Sequence, residues 1–134
     1  MDSVFNEDSW KVEEGNLPSK KFDTKNLISN NLFESKTKLK YLKPIFFDEE
    51  VRIDLELDGN ITLEINDKKH HISTSNLSNK CILVKNGIIN CDNIKEGIKL
   101  DQSSLLKVVI ESDTLIKKFT IVQNMKIDNC NPNN

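Results

Sequence analysis

Between residues 51 and 57 the chain reads VRIDLEL, with apolar and charged side chains alternating at every step. Val51, Ile53, Leu55 and Leu57 fall on one face, and Arg52, Asp54 and Glu56 on the other. A repeat of two separates side chains in this way only on a strand, so the segment reads as a half-buried β-strand. ITLEI repeats the alternation with Ile61, Leu63 and Ile65. Between the two runs stand Asp58, Gly59 and Asn60, residues that tolerate positive φ. They predict a chain reversal, and therefore a hairpin formed by the two runs.

The same logic extends along the chain. Asn66-Asp67 predicts a second turn, with KKHHIS returning as a short strand. CILV and IINC flank Lys85-Asn86-Gly87, a third hairpin with glycine at the left-handed position. GIKL, SLLKVVIES and KKFTIV follow, separated by DQS and SDT. Short strands at roughly ten-residue spacing, broken by Asp, Asn, Gly and Ser, predict an all-β fold of antiparallel hairpins forming a small barrel or sandwich. The chain has no alanine, so its best helix former is missing. One short helix is expected in TKNLISNNLF, with Thr24 as N-cap and Leu27, Ile28 and Leu32 partly on one face.

The chain of 134 residues is most simply one domain with flexible ends. Residues 1–35 are polar, with Val4, Phe5, Trp10, Val12 and Phe22 scattered among acids, Lys, Asn and Ser. They are expected to form an N-terminal arm, extended or partly disordered, whose aromatics dock on another surface. Residues 36–127 are expected to be the β-rich interaction domain, and 128–134 a flexible tail. With 37% hydrophobic and 30% charged residues, part of the chain must be solvated or must borrow a partner to cover its apolar face.

The formal charge is −2, from nineteen basic and twenty-one acidic residues. No large positive field exists to attract nucleic acid, and Arg52 is the lone arginine among the cations. Sequence-specific nucleic-acid binding is therefore not expected. No secretory signal and no membrane span are expected, and Cys81, Cys91 and Cys130 read as reduced thiols.

Two histidines, His70 and His71, stand side by side near several acids. On a strand they point to opposite faces and cannot converge on one metal ion. No serine or cysteine sits in a nucleophile elbow. Gly15, Gly59, Gly87 and Gly97 do not assemble a phosphate-binding loop. No catalytic residue, metal ligand or cofactor is expected. KTKLKYLK, residues 36–43, interleaves four lysines with Leu39, Tyr41 and Leu42. Such a segment can bind single-stranded nucleic acid or acidic partners, but a lysine-decorated edge strand is the plainer expectation. What remains is shape: strand faces and edges that a partner completes.

The order of segments resembles the smaller, β-rich subunit of the heterodimer built into RNA polymerase I, which is similar to the small subunit of transcription factor IIF. The carrying residues are Lys38-Leu39-Lys40-Tyr41-Leu42, the acidic Asp48-Glu49-Glu50, ITLEINDKKHHI, NLSNKCILV, GIKL and LLKVVIES. They span residues 36–112. The family's Lys-rich C-terminal tail has no counterpart, so its basic functions are not carried over. The resemblance implies a non-catalytic subunit supplying half of a shared heterodimeric triple barrel, closed with a larger β-barrel partner, acting in rRNA transcription in the nucleus and nucleolus. Trp10, Phe22, Phe33, Leu39, Tyr41 and Leu42 are then the expected partner-binding residues, because aromatics and large apolar groups anchor interfaces. The alternatives are a β-domain adaptor on the ribosome or another large assembly, cytoplasmic in that case, and a small hydrolase.

Overall fold

A computed structural model describes residues 5–23, 28–91, 94–98, 100 and 104–124. Among them the fold is all-β, with every strand pair antiparallel in one sheet that does not close. Two long strands dominate, β5 (Glu50–Ile65) and β6 (Lys68–Lys85). Asn66 and Asp67 join them with φ of 46° and 71°. Two consecutive positive φ values are the mark of the tight hairpin turn that matches strand twist. The ladder then runs from Ile65 opposite Lys68 to Glu50 opposite Lys85.

The reversal expected at Asp58-Gly59-Asn60 therefore does not occur. The chain passes straight through, and VRIDLEL and ITLEI are two halves of one strand. KKHHIS and CILV, expected as separate strands, are likewise the two ends of β6. The physical reason is pairing. A reversal at Gly59 would give each run one partner, whereas the continuous strand pairs along its whole length with β6 and on its other side with two further strands. The ribbon bends where the reversal was expected. Leu57 pairs with Ser78 but Gly59 with Thr74, so Ser75, Asn76 and Leu77 bulge from β6. Asn76 and Leu77 adopt φ near 57° and 56° to do so.

At the bend the sheet forks. The first half of β5 lies beside β10 (Thr114–Asn124), with Ile53 opposite Ile121. The second half lies beside β9 (Leu106–Ile110), with Ile61 opposite Ile110. Beyond β10 come β3 (Ile28–Phe33) and β2 (Ser19–Asp23). Beyond β9 come β4 (Thr37–Tyr41) and β1 (Trp10–Glu14). On the other flank, the far end of β6 carries β7 (Ile88–Cys91) and β8 (Ile94–Gly97). Asn86 and Gly87 form the β6–β7 turn with φ of 52° and 73°, as their sequence predicts.

The two halves fold toward each other over one core. Val51, Ile53, Leu55, Leu57, Ile61, Leu63 and Ile65 are all buried in it, joined by Ile82, Val84, Val108 and Ile110. Each such side chain contributes about 1.5–3 kcal/mol when fully removed from water. Aromatic rings tie the halves together. Phe5 meets Trp10 of β1 at 5.1 Å, Phe33 of β3 at 5.6 Å and Phe119 of β10 at 5.1 Å. Trp10 also packs at 4.9 Å against Tyr41, with the rings tilted by 55°.

The boundary expected at residue 35 is thus not a break in the sheet. Residues before it supply β1, β2 and β3, and Phe5, Trp10 and Phe33 lie in the shared core. The short helix expected over TKNLISNNLF is replaced at Ile28–Phe33 by strand β3, whereas Thr24 and Leu27 lie outside the described residues. β3 gains ladders on both sides, which outweigh the weak local preference of an Asn-rich segment for a helix. Its buried Asn31 is accommodated because Nδ2 donates to the backbone carbonyl of Ile116 at 3.2 Å. Among the described residues no helix is long and apolar enough to cross a membrane.

Candidate protein interaction surface

Of the residues expected to bind a partner, three are enclosed by the chain's own sheet. Trp10 is 6% exposed, Phe33 1% and Leu39 0%. Inward positions on β1, β3 and β4 put them in the core, where no partner reaches them. Tyr41 is half-buried against Trp10, and burial pushes its phenol up from the ordinary value. Phe22 lies on β2, and its side chain is outside the described residues. Leu42 alone among the other five is openly exposed.

Leu42 leads into the loop that crosses one end of the molecule. In that loop Ile45 and Phe47 turn inward and plug the core, which forces the intervening Phe46 outward. The loop is held by Gln123 at the end of β10. The Phe46 N–H donates to Gln123 Oε1 at 3.0 Å, and Gln123 Nε2 donates to the Pro44 carbonyl at 2.8 Å. On the other side the Gly87 N–H donates to the Phe47 carbonyl at 3.3 Å. Leu100 packs on Gly87 so closely that an added Cβ there would lie 2.8 Å from Leu100 Cδ1.

These connections place four exposed apolar residues at one end: Phe46 on the loop, Val122 next to Gln123, Ile88 next to Gly87 and Leu100 against it, with Phe46 42% and Ile88 50% exposed. Leu17 is the remaining large hydrophobic side chain exposed among the described residues. Single exposed leucines are ordinary, whereas several at one place mark a surface that another molecule covers. The sequence held a signal for this site in Ile45-Phe46-Phe47. Two adjacent phenylalanines in extended chain must point opposite ways, so one of them had to face out.

A second surface is charged. β4 was expected as a lysine-decorated edge strand, but it lies between β1 and β9. Its Leu39 faces the core while Lys38 and Lys40 face outward. Lys11 of β1 stands directly opposite Lys40, and Lys40 directly opposite Lys107 of β9. Glu64 and then Lys69 continue the row on β5 and β6. Lys107 pairs with Glu13 at 2.8 Å, and Lys38 with Glu64 at 3.8 Å. The Lys107 hydrogen bond holds the Glu13 carboxyl below its ordinary value, with Lys38 and Lys40 acting on it too.

The two imidazoles do face opposite ways. His71 is exposed opposite Thr62, whose hydroxyl lies 2.8 Å from His71 Nδ1. His70 is opposite the core residue Leu63, with Nδ1 4.0 Å from Glu96 and Nε2 enclosed without a hydrogen-bond partner. Among the described residues no group of three or more His, Cys, Asp or Glu side chains is placed to hold a metal ion. A depression of about 520 Å³ near His70 is lined by Asn66, Asp67, Lys68, Gly97 and Ile98.

Burial pushes the His70 imidazole below 6.5, Glu96 opposes the shift, and Lys68 and His71 reinforce it. The unfolded chain therefore binds more protons than the folded one in this range. The His70 contribution is fully present above pH 6.5 and is lost as pH falls through the lower folded value. Urea midpoints measured at pH 7.5 and 5.5 should fall for the native chain, and fall less for His70→Gln. Equal slopes in the two proteins would show that His70 is not the group responsible. No family model, no curated protein and no solved structure matches this chain.

Proposed function

We propose that this chain is a non-catalytic interaction subunit that docks another protein on its apolar end. The observation that carries the reading is Phe46 held outward on a loop pinned from both sides, with Ile88, Leu100 and Val122 exposed beside its anchors Gly87 and Gln123. A pre-organised aromatic costs little ordering entropy on binding, which suits Phe46 as an anchor. Among the described residues the outer strands β1, β2 and β8 each pair on one side, leaving edges that a partner strand can extend. Because Phe5, Trp10, Phe33 and Phe119 pack together within the chain, docking onto a folded domain fits better than a barrel whose core the partner supplies.

The partner's identity rests on the resemblance: a larger β-barrel subunit of an RNA polymerase I complex, with the chain working in nucleolar rRNA transcription. The test is purification of complexes through the tagged chain, with cross-linking and mass spectrometry. The native chain should hold a stoichiometric protein partner cross-linked near residues 42–47 and 122. Phe46→Glu should weaken it by about 2 kcal/mol or more, roughly thirtyfold, with an unchanged melting temperature. Undiminished binding by Phe46→Glu would remove the apolar end from the proposal. Polymerase subunits in the complex would support the resemblance, and ribosomal proteins would favour the adaptor reading.

A further inference from the structure

The charged face of β1, β4 and β9 carries an inference of its own. Lys11, Lys40 and Lys107 stand directly opposite one another on three adjacent strands. Strands lie about 4.8 Å apart, and like charges set directly opposite destabilise a sheet. Lys38, one step along β4, and Lys69, beyond Glu64 on β6, extend the positive field. Two carboxylates are engaged within it, Glu13 with Lys107 and Glu64 with Lys38. Lys11 and Lys69 are exposed and Lys40 is half-buried, all three on the outward face. A chain whose net charge is −2 thus sets five lysines around Glu13 and Glu64 on one sheet face.

We propose that this face binds an acidic segment of a partner protein. Three arguments select that occupant. The 4.8 Å strand spacing approximates the separation of carboxylates one turn apart on a helix, about 5–6 Å, so successive acids meet successive lysines. The cations named on this face are all lysines, which serve as point charges and lack the forked geometry that favours phosphate. The chain as a whole is negative, so a long polyanion would be repelled beyond the patch, whereas a short acidic segment engages the patch alone.

The test uses the full chain and fluorescence anisotropy with a fluorescein-labelled octaglutamate peptide. Binding should weaken at least tenfold when salt rises from about 50 to 200 mM, and about tenfold in the double variant Lys11→Gln/Lys40→Gln. Lys11→Arg/Lys40→Arg, which keeps both charges, should bind as the native chain does. Both double variants lie on the solvent face, and their melting curves report that folding is intact. Phe46→Glu should leave peptide binding unaltered, which separates this proposal from the apolar docking site. Equal binding by the Gln double variant and the native chain would overturn the inference. So would an oligothymidylate of equal charge that binds more tightly than the peptide, since the face would then be a nucleic-acid surface.

Discussion

Phe33→Ala is expected to destabilise the folded chain by about 3–5 kcal/mol, a large part of the 5–15 kcal/mol available to a domain of this size. Phe33 is 1% exposed and meets Phe5 edge-on at 5.6 Å, and Phe5 in turn packs on Trp10 and Phe119. Truncation removes the ring's own burial and leaves a cavity at the point where the two halves of the sheet meet. The backbone at this position also accepts the Asp113 N–H at 2.7 Å, so collapse around the cavity is restrained. Urea unfolding measures the loss directly. Leu42→Ala, by contrast, should stay within about 0.5 kcal/mol, because Leu42 is nearly half exposed. A neutral Phe33→Ala would mean that the N-terminal strands do not share the core, and that Phe33 is free to bind elsewhere.

Gly59→Val should cost a similar amount for a different reason. Gly59 has φ of 139°, a conformation that L side chains rarely adopt. An added Cβ would also lie 2.4 Å from Thr114 Oγ1 and 2.8 Å from Thr114 Cβ. Strain of about 1–3 kcal/mol from the backbone adds to about 1–3 kcal/mol from overpacking. Thr114 cannot move aside freely. It is fully buried, and its hydroxyl accepts the Asn60 N–H at 3.2 Å and faces the Asn60 carbonyl at 3.4 Å. Adding Thr114→Ala should therefore recover part of the loss, a coupling that a double-mutant cycle reads. Additive costs would show that the two residues do not touch.

The Gly59 site also shows how much of the fold was legible. All-β class and antiparallel pairing followed from alternation, and the turns at Asn66-Asp67 and Asn86-Gly87 followed from residues that accept positive φ. The mistaken hairpin at Gly59 came from weighing local turn chemistry above phase. Val51, Ile53, Leu55, Leu57, Ile61, Leu63 and Ile65 all occupy odd positions, so the inward phase never breaks. Gly59 falls on that inward phase, where Thr114 fills the space a side chain would have taken. Unbroken phase through a glycine is what a bent strand looks like in sequence.

Elsewhere the signal was hidden by polarity. β3 carries Asn30 and Asn31 at buried positions, and nothing local reveals that Asn31 would find the Ile116 carbonyl eighty-five residues away. Trp10, Phe33 and Leu39 are expected at a partner because aromatic and large apolar groups anchor interfaces, yet the same groups also build cores. Their true neighbours come from the far end of the chain, as Phe119 does for Trp10 at 5.6 Å. Phe46 carries no periodic signal, because it lies in the irregular connection between β4 and β5. Its exposure is fixed by Gln123, a residue no local pattern associates with it.

The bent ribbon of β5 and β6 belongs to both layers at once, and this has a kinetic consequence. Closing a single tight loop at Asn66-Asp67 sets the register of thirty-odd residues and presents two ready templates, one for β9 and one for β10. Hairpins close within about 1–10 μs, far faster than distant strands find each other. The search that assembles the remaining strands is thereby reduced to docking on a prealigned spine, and neither layer can peel away without tearing the other.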